Sequence, residues 1–474
     1  MVIGRFSDGL MRGVDRLATG VTDTLSESFF EQRLRLGVTG LSEAGKTVFI
    51  TSLVANLLDR ARMGRMQAVA GGHIEAVFLQ PQPDDTLPRF AYERHLAALT
   101  GPDPHWPEGT RHMSQLRLSF RIRPGGLLSG VRGAQIRHLD IMDYPGEWLL
   151  DLGLLDKTYA QWAAEVLGRM QTRPFAAQAL AQIMAVDPDG PHDETQAQAL
   201  AHGFTAYLHA ARAAGLPDLT PGRFLLPGDL AGSPVLTFAP LPATGRRGTL
   251  GREMARRFEA YKAQVIRPFF RDHFARIDRQ IVLADVLGAI HAGPEAVDRL
   301  GATLTELLAA FRPGRNAWLT RLLGGKRVER ILFAATKADH IHHTQHDRLA
   351  ALLAALLRQA RDRAEFAGAR TQALAIAALR TTVEETHQRN GESLDCVRGT
   401  LLETGKQAAL YPGELPNDPM ALLGPARAGA PRWLGAEYDI MRFAPARLNR
   451  KPGDGLPHIR LDAAAEFLIG DMLK

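Results

Sequence analysis

Apolar residues alternate at Leu34, Leu36 and Val38, and the period then changes. Phe49, Leu53 and Leu57 form one row at helical spacing, and Ile50, Val54 and Leu58 form the next. The pattern predicts a strand, a turn and a helix. Leu116, Leu118, Phe120 and Ile122 alternate again. A glycine-rich turn over 125–133 leads to a second run over 135–142, with Ile136 and Ile141 among its apolar residues. These two runs read as a hairpin with a long loop. Between them and the first helix, 59–113 carries Gly71-Gly72, several prolines and scattered polar residues, and is expected to be a long, partly irregular connection.

Residues 154–279 are rich in Ala, Gln and Leu and largely helical by pattern. A proline-bearing break over 216–251 interrupts them. Short strand-like runs return at 281–284, 331–335 and 373–377, separated by helical patterns at 295–310 and 346–364. Strands alternating with helices predict a mostly parallel sheet covered on both faces. At the start, Leu10, Val14, Leu17, Val21 and Leu25 recur every three or four residues. The helix this predicts over 8–30 packs on the core or lies on a membrane surface; few Lys or Arg line its polar face, which weighs against the second. Tyr438, Ile440 and Phe443 suggest a strand, and 462–473 a closing helix with Phe467 and Leu468 inward.

Composition bounds the rest. The chain has 474 residues, 45% of them apolar and 23% charged, enough to bury a core in two to four domains. A net charge of +6, from 57 basic and 51 acidic residues, permits an anionic partner without demanding one, and no nucleic-acid partner is indicated. One cysteine, Cys396, excludes an internal disulfide framework, and a reducing, cytoplasmic setting is the expectation. The opening MVIGRFSDGLMRG has no unbroken apolar core, so no signal peptide is expected. No run of about eighteen apolar residues predicts a transmembrane segment.

The candidate chemistry lies at the ends of the predicted strands. Residues 40–47, GLSEAGKT, follow the first strand and open the first helix. Two glycines with four residues between them, then Lys and Thr, make a P-loop: backbone N–H groups and a helix N-terminus converge where phosphate binds. Lys46 would reach the β- and γ-phosphates, and the Thr47 hydroxyl would take one Mg²⁺ position. Asp143-Tyr144-Pro145-Gly146 ends the second strand of the hairpin. Asp143 there would hold a metal-bound water, and Gly146 would let a backbone N–H approach the γ-phosphate. Thr336-Lys337-Ala338-Asp339 ends the 331–335 run. The Asp339 carboxylate can accept from guanine N1–H and N2–H₂, an arrangement adenine lacks. The Lys337 stem would pack over the base and brace the P-loop. His340, His342, His343 and His346 crowd behind Asp339. Their spacing predicts no tetrahedral metal set and favours capping of the next helix, beside the base.

In that chain order the three motifs resemble those of Ras-like, TRAFAC-class GTPases. The wider chain resembles the YcjX family of bacterial stress-associated P-loop proteins, through GLSEAGKTVFITSLVANLL, LDIMDYPGEWLLDL, TKADHIHHTQHDRL and PHIRLDAAAEFLIGDML. The resemblance implies an α/β P-loop NTPase fold of Ras-like type, a mostly parallel sheet with an all-helical insertion. It implies GTP or GDP with Mg²⁺ as cofactors, a stress role, and an inner-membrane partner of the YcjF type that would hold the protein peripherally at that membrane. Carried over by position, it also makes Ala378 the backbone N–H donor to guanine O6 and Thr110 the switch threonine on Mg²⁺. The expected nucleotide contacts are thus Gly40, Ser42, Glu43, Ala44, Gly45, Lys46, Thr47, Val48, Gly146, Thr336, Lys337, Asp339, Ala378 and Leu379. The expected catalytic set is Lys46, Thr110 and Glu147, and the metal set Thr47, Thr110 and Asp143. The expected division is an N-terminal helix at 1–30, a GTPase core in two parts at 31–153 and 278–385, a helical insertion at 154–277, and a C-terminal segment at 386–474 packed on the core.

Four residues, at three places, depart from the Ras-like pattern. Glu147 stands where a glutamine usually orients the attacking water, Ser42 and Glu43 replace a glycine pair, and Thr336 replaces an asparagine. Nucleotide binding survives all three, but fast hydrolysis does not follow. The expectation is a guanine-nucleotide switch with slow GTP hydrolysis. A non-catalytic, nucleotide-stabilised scaffold for a membrane-associated partner is the first rival, and an ATPase the second.

Overall fold

The computed structural model describes residues 32–41, 43–109, 112–123, 134–216, 220–242, 245–309, 328–389, 391–433, 437–449, 451 and 453–474. The pattern over 8–30, Ser42 and Thr110 lie outside them. Seven strands form the main sheet: β1 (Gln32–Gly40), β2 (Ile74–Gln80), β3 (Ser114–Ile122), β4 (Gln135–Asp143), β5 (Arg279–Ala284), β6 (Arg330–Ala335) and β7 (Arg370–Ala375). Their order is β2-β3-β4-β1-β5-β6-β7. From β4 to β7 every pairing is parallel, and β2 and β3 extend the sheet antiparallel. The sheet is therefore mostly parallel, as the alternation of strands and helices predicts.

Alternation along each strand divides the core in two. Leu36, Val38, Ile281, Leu283, Leu332 and Ala334 meet helix α1 (Lys46–Leu58) through Phe49, Ile50 and Leu53. Val282, Ala284, Ile331, Phe333 and Ala335 face the other way, into the cluster that includes the helical block after β4. Because β-strand side chains alternate with a period of two, one strand serves both layers. On the hairpin, Arg117 and Asp140 stand opposite each other in register, buried and doubly hydrogen-bonded at 2.6 and 2.8 Å.

The structure departs from the pattern in five places. The 59–113 connection contains edge strand β2 and helix α2 (Tyr92–Thr100). The 346–364 pattern is two helices, His346–Leu356 and Arg358–Phe366, because Leu357 leaves helical geometry (φ −102, ψ 10). The strand expected at 373–377 runs instead over Arg370–Ala375. A second, antiparallel sheet of β8 (Val383–Arg389), β9 (Glu392–Thr400) and β10 (Gln407–Leu410) had no counterpart in the pattern. Tyr438–Phe443 is not a strand; it touches the second sheet through one bridge, Phe443 to Leu401.

Helices Tyr159–Gln171, Ala177–Met184, Glu194–Ala213 and Leu250–Tyr261 build the block between β4 and β5 around Trp162, Phe204, Phe238 and Phe258. The closing helix spans Leu461–Ile469; Leu468 is buried, while Phe467 is half-buried beneath the Arg330 guanidinium. Among the described residues no helix is long and apolar enough to cross a membrane.

Candidate functional site

At the carboxyl ends of the parallel strands lies a cavity of about 440 Å³. That volume is within the range of small-molecule sites. Its wall takes Lys46 and Thr47 from α1, Glu147 from the turn after β4, and Thr336, Lys337 and Asp339 from the end of β6. The three motifs, far apart in sequence, thus open on one space. Glu43, Ala44, Gly45, Val48, Ala378 and Leu379 line it as well. Gly40 and Gly146 stand behind the wall: a Cβ on Gly146 would come within 2.8 Å of the Gly40 carbonyl oxygen. Asp143 is buried at the end of β4, in register with Val38 of β1.

The P-loop backbone explains its sequence. Gly45 has φ 82 and nothing within 4 Å of where a Cβ would be. Its left-handed backbone turns the chain into α1, whose second turn begins with Phe49 N–H donating to the Gly45 carbonyl at 2.8 Å. Glu43 is also left-handed, at φ 64, and so is Lys337, at φ 59. Neither is glycine, and such backbone costs roughly 1–2 kcal/mol per residue. Both positions line the cavity, where strain of this kind tends to gather. The Lys46 ammonium donates to the Gly40 carbonyl at 2.7 Å and the Leu41 carbonyl at 3.4 Å. With three donors, it keeps one for a ligand.

At the other end, Asp339 is buried and its Oδ2 accepts from the Thr381 N–H and hydroxyl, each at 2.8 Å. Thr382 donates to the Asp339 carbonyl. The carboxylate is therefore held in place by its own loop. Lys337 lines the cavity, but its ammonium pairs with Asp285, the N-cap of the helix after β5, rather than with the P-loop. His340 is buried edge-on to Phe443, and burial pushes its imidazole below the ordinary value. His346 contacts the Ala338 carbonyl at 2.8 Å and so braces this loop.

Several lining residues carried no sequence signal. Trp106 donates its indole N–H to the Phe443 carbonyl at 2.8 Å, so the 59–113 connection and the C-terminal segment meet at the cavity wall. Leu402, Arg442 and Phe443 line the cavity there. Arg212 reaches it from the helix Glu194–Ala213, with its guanidinium 3.7 Å from Glu147 Oε1. Glu147 is buried, and its Oε2 has no hydrogen-bond partner among the described residues.

The turn after Gly146 is clamped by the helical block. Arg223 lies over the Trp148 ring at 3.2 Å, and Asp151 accepts from the Gly222 N–H at 2.7 Å and from the Tyr261 hydroxyl. Asp151 is fully enclosed, and burial pushes its carboxyl up to about 7 against these two hydrogen bonds. The unfolded chain releases this proton near 4. Between those values the folded form holds a proton the unfolded form has lost, so this group's contribution is complete below about 4 and lost as pH rises through about 7. Thermal melting of the wild type should therefore fall between about pH 4 and 7, and Asp151→Asn should flatten that decline. Parallel curves for the two proteins would reject it.

The residues fit a magnesium nucleotide. A left-handed glycine opens the helix N-terminus, a buried lysine faces the same space, and a fixed acceptor closes the far end. Sheet, P-loop and strand-end acceptor together define the Ras-like class of α/β fold, of GTPase type. Sequence comparison agrees. The model of the YcjX-like family, DUF463, matches residues 34–473. The protein named Ras-like GTPase YcjX from Escherichia coli (strain K12) is 38% identical over 462 residues, which covers 94% of this chain and 97% of that one. The protein of the same name from Shewanella oneidensis is 33% identical over 473 residues, covering 94% of this chain and 95% of that one. The chain belongs to the YcjX-like family.

Proposed function

We propose that the protein binds GTP and GDP with Mg²⁺ and hydrolyses GTP slowly, as a nucleotide-dependent switch. The observation that carries the reading is the single cavity shared by Lys46, Thr47, Glu147 and Asp339. Lys46 would hold the β- and γ-phosphates, and the Gly146 turn, packed on Gly40, would meet the γ-phosphate end. Asp339 would take guanine N1–H and N2–H₂, with the Ala378 N–H on O6. Thr47, Asp143 and Thr110 would hold Mg²⁺, which when bound neutralises phosphate charge. Glu147 would position water as an acceptor. On family resemblance the proposal extends to a stress role and to a membrane-bound partner of the YcjF type, which would keep the protein at the periphery of the inner membrane.

A buried carboxylate facing the phosphates would also suit a scaffold that holds nucleotide without turning it over. Titration on one preparation separates the readings. GTP and GDP should displace a fluorescent GDP analogue at concentrations about 10⁴-fold below ATP, since a buried acceptor left unpaired discriminates by that order. Equal displacement by ATP would overturn the base assignment, and GTP binding with no phosphate release over hours would favour the scaffold.

A further inference from the structure

The four histidines after Asp339 do not act as one group. His340 and His346 turn into the core, as described above, but His342, itself buried, and the exposed His343 both face the second sheet. Their rings lie 4.2 Å apart, and both aim at one atom, Glu384 Oε2 on β8. His343 Nδ1 is 2.7 Å from it and His342 Nε2 3.7 Å. A ligand atom from each of the three residues lies within 4.8 Å of the other two. Ligands about 2.0–2.1 Å from a tetrahedral zinc lie roughly 3.3 Å from one another, so small side-chain shifts would close the set.

We propose that His342, His343 and Glu384 form a divalent transition-metal site of the zinc type. Three features favour an ion over a simple ion pair. Two imidazoles converge on one carboxylate oxygen, more than a single ion pair requires. The other oxygen, Oε1, faces the Arg380 guanidinium 3.7 Å away, and Oε2 faces the histidines. Finally, His342 Nδ1 lies 3.2 Å from Asp395 Oδ2 on β9 and 3.0 Å from the Thr344 hydroxyl. A carboxylate on the far nitrogen fixes the tautomer and turns Nε2 outward as the ligand atom, the usual arrangement behind metal-bound histidine. Two imidazoles and one carboxylate suit zinc or cobalt rather than magnesium or calcium. His343 is 64% exposed at its side chain, so a fourth position is open to water.

Such an ion would join the loop that carries Asp339 to the strand that follows Thr381 and Thr382, both of which already hold Asp339. The proposal concerns metal binding alone and is tested without nucleotide. Full-length, untagged protein is stripped with chelator and titrated with Zn²⁺ by calorimetry and with Co²⁺ by visible absorption. One zinc per chain and the intense cobalt bands of a four-coordinate site are expected. His343→Ala removes an exposed ligand at little cost to folding and should weaken zinc on the order of 100-fold; Asp395→Asn, which only orients His342, should weaken it about 10-fold. His387→Ala, on the same strand and outside the set, should change nothing. No zinc uptake by the wild type, or uptake unchanged in His343→Ala, overturns the site.

Discussion

Asp339→Asn should exchange GTP for xanthosine triphosphate as the preferred ligand, a reversal in relative affinity on the order of 10⁴-fold. The wild-type carboxylate has Oδ2 engaged by the N–H and hydroxyl of Thr381. Those donors do not move when the side chain becomes an amide. They orient it, since only the amide oxygen can accept from the Thr381 N–H. The NH₂ group is then offered on the cavity side. Guanine presents N1–H and N2–H₂ there, so donor would face donor and a buried pair would be lost. Xanthine carries an oxygen at C2 that accepts from the new amide. Competition against fluorescent GDP and XDP analogues reads both changes at once. A variant that keeps its GTP preference would show that Asp339 does not read the base, and one that loses both ligands would point to collapse of the loop, which melting would reveal.

The parts of this site legible in the sequence are those whose chemistry is local. Gly45, Lys46 and Thr47 are adjacent, and a glycine turn between a strand and a helix needs no distant partner to be recognised. Asp143 and Asp339 follow short apolar runs, so the strand ends could be placed. β2 was missed because it is an edge strand: in Ile74–Gln80 only Ile74 is fully buried, and the flanks carry glycine and proline. The second sheet was missed for a related reason. Val383–Arg389 and Glu392–Thr400 are mostly polar on both faces, so they show little hydrophobic alternation. The break at Leu357 hides in an unbroken helical rhythm, and none of the residues of the helix that follows is buried.

The rest of the site arises only on folding. Trp106 and Phe443 meet although they are 337 residues apart. Nothing around Arg442 or Arg212 marks either as a residue of the cavity. The histidine pair illustrates the limit best. Spacing within the chain offers no tetrahedral set, and the third ligand atom comes from a strand whose existence the pattern did not show.

Arg212→Ala should slow GTP hydrolysis by about 10³-fold while leaving GDP affinity nearly unchanged, the size of effect an arginine in the transition state produces. Phosphoryl transfer is catalysed by positioning and by charge placed against the equatorial oxygens, and no arginine adjoins the three motifs in sequence. The helical block supplies one: Arg212 lies in the last turn of Glu194–Ala213, lines the cavity and stands 3.7 Å from Glu147. In that position its charge is partly spent on the Glu147 carboxylate, which itself opposes the charge of the transferring group. Intrinsic turnover is therefore expected to stay slow, on the order of 10⁻³ s⁻¹ or below, comparable with an unassisted Ras-like enzyme. Glu147→Gln should release Arg212 from the pair, restore a neutral side chain for the attacking water, and raise the rate or at least not lower it. Arg212→Lys keeps a charge without the planar fork and should recover only part of the loss. Single-turnover assays on the three variants, with GDP affinity measured alongside, decide the matter. An unchanged rate in Arg212→Ala would remove the arginine from the mechanism. A large fall in Glu147→Gln would instead make the carboxylate the group that activates water, with Arg212 present to hold it in place.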